Sequence, residues 1–336
     1  MWSCRRVRLA GGFLARHRRR VAVIGVAVVA LVGGTAVAAS RSGDEQVATD
    51  CTQVAVNRND PGGAEGLAEV VVVPADGGEA RLVTGDWVAT EPSLSPDGRE
   101  VVVVRAEGDY ESSGPESTSL WVVGTDGDGE RQLTHGPWDD QPAWSPDGSQ
   151  VAYTEFDGQS ARVLVVPADG GEPRVVAEDP GTPFTAPAWS PDGRRLAVIG
   201  HLDGEAYGAG FTLWTVEPDG SGLREHGNVG GARSLDWHPD GTSLLASGGG
   251  GAHLVDIAAG EARQVSTSDR LAAWSADGED VYFYADNGDE EGSQWRLAAG
   301  HIQGDTLVRD RFVGRNLDYF IYPYFGIDAG RCPPAR

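Results

Sequence analysis

A four-residue turn recurs five times along the chain: Ser95-Pro96-Asp97-Gly98, Ser145-Pro146-Asp147-Gly148, Ser190-Pro191-Asp192-Gly193, His238-Pro239-Asp240-Gly241 and Ser275-Ala276-Asp277-Gly278. Each copy follows a short apolar stretch such as Pro142-Ala143-Trp144 or Leu235-Asp236-Trp237. Each precedes an alternating, β-branched run such as Val151-Ala152-Tyr153. That order reads as strand, tight turn, strand. Ser at the first position, Pro with its φ pre-set near −65° at the second and Gly at the fourth are what a type I turn asks for. The motif is therefore explained by turn chemistry alone.

The Asp residues of the five copies are 50, 45, 48 and 37 residues apart, the spacing of one four-stranded propeller blade, about 40 to 50 residues. A second hairpin falls between copies and recurs six times. It is clear at Val71 to Gly78, Val165 to Gly171 and Leu213 to Gly220, and degenerate around Asp126-Gly127-Asp128-Gly129, Ala259-Gly260 and Gln303-Gly304. Six second hairpins against five first hairpins predict a six-bladed ring whose sixth blade is split between the chain ends. Its middle strand is expected over Thr52 to Asn57, followed by the Val70 to Thr84 hairpin, and its innermost strand near Asn316 to Phe325. Such a clasp leaves no sheet edge open, the usual closure problem of repeated β architectures.

The Pro-Ala-Trp-Ser-Pro-Asp-Gly runs at 142–148 and 187–193, with their Asp-Gly-Gly hairpins and the Leu133-Thr134 blade ending, resemble the WD40-like repeats of the TolB family of periplasmic propellers. The resemblance covers roughly residues 51 to 330 and implies a propeller of that repeat type.

Residues 1–20 carry seven Arg and no acid, and Val21 to Ala39 is an uncharged apolar run of about 19 residues, near the minimum that spans a bilayer core as a helix. The basic cluster Arg16, Arg18, Arg19 and Arg20 is expected to stay cytoplasmic and send the rest outside. The domain reading is thus a basic leader at 1–20, a transmembrane signal anchor at 21–39, a linker at 40–50 and a propeller at 51–336. Ala36-Val37-Ala38 also matches a signal-peptidase site, so secretion after cleavage near Ala38 is the alternative to a single-pass anchor.

Export fits the cysteines. Cys4 lies on the cytoplasmic side, whereas Cys51 and Cys332 flank the propeller, where a clasp would bring them together as a disulfide. The bland alternative is two free thiols. The formal net charge of −23 becomes about −30 once the seven leader Arg are set aside, which excludes nucleic acid as a natural partner. Gly108 to Ser119 reads as a disordered surface insertion.

Catalytic signatures are sparse. The chain has no Gly-x-Ser-x-Gly elbow and no His-Glu-x-x-His, and the histidines beyond the leader (His135, His201, His226, His238, His253 and His301) are scattered at about one per blade. No cofactor or metal is expected from this pattern. Asp126, Asp128 and Glu130 have the alternate spacing of a calcium loop, but the segment aligns with the ordinary hairpins at Asp76 and Asp169, and the sequence leaves calcium open.

Loops carried by a rigid scaffold are the usual place for binding. In a propeller ring, the connections from an outermost strand to the next innermost strand lie at the mouth of the central channel. Those connections offer Trp87, Trp138, Asp139, Asp140, Phe184, Arg233, Asp269 and Arg270 as ligand-binding candidates. The competing reading of Trp87, Trp138 and Phe184 is as caps between blades. Trp144, Trp189, Trp237 and Trp274 recur at one blade position and are expected to fill inter-blade core. The leading expectation is a non-catalytic, membrane-tethered extracytoplasmic propeller that binds a protein or peptide of the cell envelope as a scaffold or sensor. The alternative is a propeller hydrolase or lyase acting on envelope glycan or a lactone through channel carboxylates.

Overall fold

The architecture comes from a computed structural model that describes residues 52–59, 68–74, 81–84, 88–108, 115–201, 210–267, 272–275, 277–286, 295–312 and 327–331. These residues are all-β, without a helix. Sheet 1 contains β1 (Thr52–Asn59), β2 (Ala68–Pro74) and β3 (Arg81–Leu82). Sheet 2 contains β4 (Ala89–Leu94), β5 (Glu100–Glu107), β6 (Ser117–Gly124) and β7 (Arg131–Gln132), and sheet 3 contains β8 (Asp139–Trp144), β9 (Gln150–Phe156), β10 (Ala161–Pro167) and β11 (Arg174–Ala177). Sheet 4 is β12 (Phe184–Trp189), β13 (Leu196–His201), β14 (Phe211–Val216) and β15 (Arg224–Asn228), and sheet 5 is β16 (Ala232–Trp237), β17 (Ser243–Gly248), β18 (Gly251–Asp256) and β19 (Glu261–Ser266). Sheet 6 is β20 (Ala272–Trp274), β21 (Val281–Asp286), β22 (Trp295–Gln303) and β23 (Thr306–Phe312), and β24 (Ile327–Arg331) returns to sheet 1 to lie beside β1. Every sheet has four strands, and sheets 2 to 6 are plain antiparallel meanders.

Burial on both faces explains why the strands read as continuous apolar runs rather than half-polar ones. Successive side chains of a strand point to opposite faces, so the Val101 to Val104 run divides. Val101 and Val103 pack with Ala55, Val70 and Val72 of sheet 1, whereas Val102 and Val104 pack with Trp144, Val151 and Tyr153 of sheet 3. The other apolar clusters sit between sheets 3 and 4, 4 and 5, and 5 and 6 in the same way. Each fully buried Val contributes about 1.5–3 kcal/mol relative to an exposed one, and this stacking of faces holds neighbouring sheets together.

The repeat tryptophans lie in these seams. Trp144, Trp189 and Trp237 are buried and Trp274 is half-buried. The indole N–H of Trp189 donates to the carbonyl of Ala143 at 3.1 Å, and that of Trp237 to Ala188 at 3.1 Å, so each ties its own sheet to the preceding one.

The repeated turn is a closed hydrogen-bond unit. In the second copy Gly148 N–H donates to the Ser145 carbonyl, the Ser145 hydroxyl donates to Asp147 Oδ1 at 2.7 Å, and Ser145 Oγ accepts from Gln150 N–H. Gly148 has φ of 72°, the left-handed region that the fourth position requires. His238 replaces Ser in the fourth copy: its Nδ1 lies 2.9 Å from Asp240 Oδ1, and its Nε2 lies 3.2 Å from the Gly278 carbonyl of the next sheet's turn. The turns stack on one another, since a Cβ on Gly148 would stand 3.7 Å from Pro96, and one on Gly193 would stand 3.9 Å from Pro146.

The split sheet is present, with a shifted inner strand. β24 begins at Ile327, not near Asn316, and pairs antiparallel with β1 from Val56↔Ile327 to Thr52↔Arg331. The expected segment 316–325 lies outside the described residues, and Ile327–Arg331 supplies the strand that pairs with β1. The surface insertion is also shorter than expected: Ser117 to Ser119 belong to β6, because Glu116 N–H closes onto the Glu107 carbonyl and starts the ladder. The apolar run at 21–39, Cys51 and Cys332 lie outside the described residues. Among the described residues no helix is long and apolar enough to cross a membrane.

Candidate binding site at the channel mouth

The innermost strands break their ladders at one position before they reach the repeated turn. The register shifts between Thr90 and Ser93, between Asp140 and Ala143, and between Thr185 and Ala188. The bulged residues Glu91, Gln141 and Ala186 have φ of 51°, 53° and 52°, values uncommon outside glycine. Each precedes a proline, which removes one ladder donor, and an extra residue on one strand re-aims the chain.

Their side chains link neighbouring sheets. Gln141 N–H donates to Glu91 Oε2 at 2.8 Å, and Ala186 N–H donates to Gln141 Oε1 at 2.9 Å. The Thr154 hydroxyl also donates to Gln141 Oε1. The relay ends at Ala186, whose methyl offers no acceptor to the next sheet.

The strand ends above the bulges are pinned by their own carbonyls. Val88, Trp138, Pro183 and Gly231 each accept an N–H from the far end of the neighbouring strand or its turn: Ala106, Phe156, His201 and Gly249 respectively. In sheet 3 the adjacent Pro137 carbonyl also accepts from Thr118 of sheet 2. Among the described residues these strand ends are thus held by backbone bonds.

The charges at the mouth separate by sheet. Asp140 reaches solvent but is hemmed in by protein; loss of hydration, and then the neighbouring Asp139 charge, push its carboxyl up to about 6. Glu91 is raised well above the usual carboxylate range by burial first and by Asp140 second, with the Gln141 N–H partly offsetting both. Arg233 of β16, in sheet 5, is exposed. Burial, and then the Arg233 charge, lower the pKa of His201, whose Nε2 lies 2.7 Å from Thr185 Oγ1.

The residues picked from sequence divide into three groups. Trp138, half-buried, and Asp140 and Arg233, both exposed, are at the mouth. Phe184 and Asp139 are fully buried. Phe184 is the first residue of β12 rather than a loop residue; its ring packs edge-on to Trp214 at 5.7 Å and serves the core between sheets 3 and 4. Asp139 starts β8, and its Oδ2 accepts the Gly136 N–H at 3.0 Å, so it shapes the His135–Trp138 connection from below. Trp87, Asp269 and Arg270 lie outside the described residues.

Several mouth residues escaped the sequence reading. Phe156, 44% exposed at the end of β9, is tied to Trp138 through its N–H, yet in the sequence it is one more aromatic at a strand end. Glu91 and Gln141 carry a readable signal, since both stand directly before the proline of the repeat. At the candidate calcium loop, Asp126 Oδ1 accepts the Asp128 N–H and Glu130 pairs with Arg105 at 2.9 Å, the bonding of a hairpin turn. Among the described residues no three His, Cys, Asp or Glu converge to hold a metal ion.

Meander sheets with buried faces, repeated turns at one end and short connections at the other define a β-propeller of the TolB type. The TolB beta propeller domain model, PD40, matches residues 112–306, more than half of the chain, and the chain belongs to that family. Among curated relatives, the Tol-Pal system protein TolB of Anaeromyxobacter dehalogenans is 31% identical over 116 residues, 34% of this chain and 25% of that protein. The Tol-Pal system protein TolB 1 of Novosphingobium aromaticivorans is 33% identical over 81 residues, 24% of this chain and 17% of that protein. The chain thus matches a quarter or less of these relatives' length. TolB from Acinetobacter baumannii superposes with a TM-score of 0.65 at 12% identity, over 83% of this chain and 66% of that one. An oligogalacturonate lyase in complex with manganese superposes with a TM-score of 0.54 at 16% identity, over 70% and 72%. At such identities the likeness concerns the fold.

Proposed function

We propose that the protein is a scaffold or sensor of the cell envelope, a six-bladed propeller that binds a protein or peptide at its channel mouth without transforming it. Six four-stranded sheets in chain order, with the last strand beside the first, support the closed ring. The observation that carries the binding reading is the pinned mouth of sheet 3, where Trp138 and the exposed Phe156 stand beside Asp140. Rigid positions that present aromatics are where interface energy concentrates. Membership of the TolB propeller family, whose named relatives belong to the Tol-Pal system, fits an envelope partner.

The tethering part of this reading draws on the basic leader and the apolar run at 21–39, whose charge asymmetry favours residues 41–336 lying outside the cytoplasmic membrane. A reporter active only in the cytoplasm, fused after Arg336, is expected to be silent, and strong activity contradicts this topology. Partner binding is tested by crosslinking the full chain in its own envelope and purifying it. A discrete adduct that fades in Trp138→Ala or Phe156→Ala supports the reading, whereas an adduct pattern indifferent to both contradicts it.

The second reading, a hydrolase or lyase, draws on Glu91 and Asp140, a neighbouring pair of carboxyls shifted toward the protonated form, since a raised carboxylic acid is the form a general acid takes. A lyase among the structural neighbours shares the fold. Turnover of an envelope glycan that is lost in Glu91→Gln would favour it over the scaffold.

A further inference from the structure

We infer that the outer rim carries a second binding site, a cleft between β19 of sheet 5 and β23 of sheet 6 that takes a small uncharged saccharide. The site is separate from the mouth, since β19 and β23 are the strands of their sheets farthest from the innermost β16 and β20. The cleft has a volume of about 450 Å³, within the range of roughly 300–1,000 Å³ of small-molecule sites.

A departure of sheet 6 from the repeat accounts for the cleft. In sheets 2 to 5 the first apolar residue after the repeated turn pairs with a valine of the third strand: Val123, Val166, Val216 or Val255. In sheet 6 the corresponding Val281 pairs with Gly300. One pair further along, the third strands present Trp121, Leu164, Trp214 and His253, whereas sheet 6 presents Ala298 opposite Phe283. These positions face the preceding sheet. The seam between sheets 5 and 6 therefore has a single methyl where the others have a valine and a larger group. A Cβ on Gly300 would run into the Val308 carbonyl, so a larger residue cannot refill the seam unless β23 moves.

The lining sets the chemistry. Val265, Phe283 and Leu307, all buried, form an apolar floor. Thr267 on one wall and Thr306 on the other bring exposed hydroxyls. Gln264 adds an amide whose Nε2 is held by the Gly250 carbonyl at 2.8 Å. Of the two charged lining residues, Asp305 is paired with Arg263, and Arg309 is engaged within the protein. Neutral groups that donate and accept, set over an apolar floor, suit a sugar ring, whose C–H face is apolar and whose hydroxyls also donate and accept. A peptide adding as a further strand is disfavoured. Both outer strands bulge at the cleft, at Val265 and at Asp310, and a bulge breaks the flat edge that strand addition needs.

The test uses the full chain in a polyoxyethylene detergent, which carries no sugar. Maltose, cellobiose and diacetylchitobiose serve as uncharged probes, and an acetylated, amidated tripeptide alternating Thr and Val serves as the peptide probe, each titrated by saturation-transfer NMR. At least one disaccharide is expected to bind saturably, and the tripeptide is not. Thr306→Trp, which places an indole in the cleft, is expected to abolish that binding without lowering Tm. Thr267→Val, which keeps the shape and removes the hydroxyl, is expected to weaken it about tenfold, and it decides alone if Thr306→Trp does not fold. Trp138→Ala at the mouth is expected to leave it unchanged. No saturable disaccharide binding, indifference to the rim variants, loss with Trp138→Ala, or a tripeptide that binds as tightly as the sugar overturns the inference. Failure at the rim leaves the envelope adduct at the mouth, and with it the partner reading, standing.

Discussion

The carboxylate of Glu91 accepts the backbone N–H of Gln141 at 2.8 Å, joining two sheets where both chains bulge ahead of a proline. A carboxylate serving as this staple must keep its acceptor oxygen next to Asp140, so the contact that ties the sheets also crowds two acids. Gln141 repeats the staple toward Ala186 with a neutral amide at the same repeat position. Sheet cohesion therefore does not need an acid there.

The acid pair makes stability depend on pH in a definite direction. Carboxyls raised in the folded state bind protons that the unfolded chain does not hold between about pH 4 and 6, so they reduce stability at neutral pH and the penalty lifts as pH falls. His201 and His253, both half-buried, and buried His226 are lowered by loss of hydration first and act oppositely below the ordinary histidine value. A difference measurement isolates the acids. Asp140→Asn is expected to be more stable than the parent at pH 7.5, by on the order of 1 kcal/mol after allowing for solvent screening. The gap should narrow as pH falls below about 6 and close only below about pH 4 in parallel denaturant titrations.

Aromatics at the mouth are expected to separate by role. Phe184→Ala should cost about 3–5 kcal/mol of stability, as loss of a buried ring does. Phe156→Ala, removing an exposed ring, should change stability by less than about 1 kcal/mol. Trp138→Ala should fall between, because the ring is half-buried. Equal losses for Phe156 and Phe184 would count against the exposed rim.

The register at the clasp makes a covalent prediction. Thr52 pairs with Arg331 in the β1–β24 ladder, and carrying that antiparallel count one step further matches 51 with 332. Non-reducing peptide mapping is expected to recover Cys51 joined to Cys332. Replacing both with Ser should lower Tm by closing off about 2–4 kcal/mol of stabilisation. Two free thiols from oxidising growth would contradict it.

Much of this architecture was legible because turn chemistry and alternation are local. The Ser-Pro-Asp-Gly copies fixed where inner hairpins turn, and the Val101 to Val104 run announced a strand buried on both faces. The clasp was legible in count but not in place, since β24 is specified by its match to β1, at the other end of the sequence. Phe184 reads as a loop aromatic because Pro183 precedes it, yet the strand begins at that residue and turns the ring inward. The staple from Glu91 to Gln141 acquires meaning only when sheets 2 and 3 stand side by side, a proximity that no spacing in the chain encodes.

The central claim, that this mouth holds a protein partner, is tested most directly by a photo-crosslinking amino acid placed at position 156 of the full chain in its own envelope, with position 82 on the outer rim as the comparison. The account predicts one discrete adduct from position 156, absent from position 82 and lost when Trp138→Ala is added. The same adduct from both positions, or none from position 156, would contradict it.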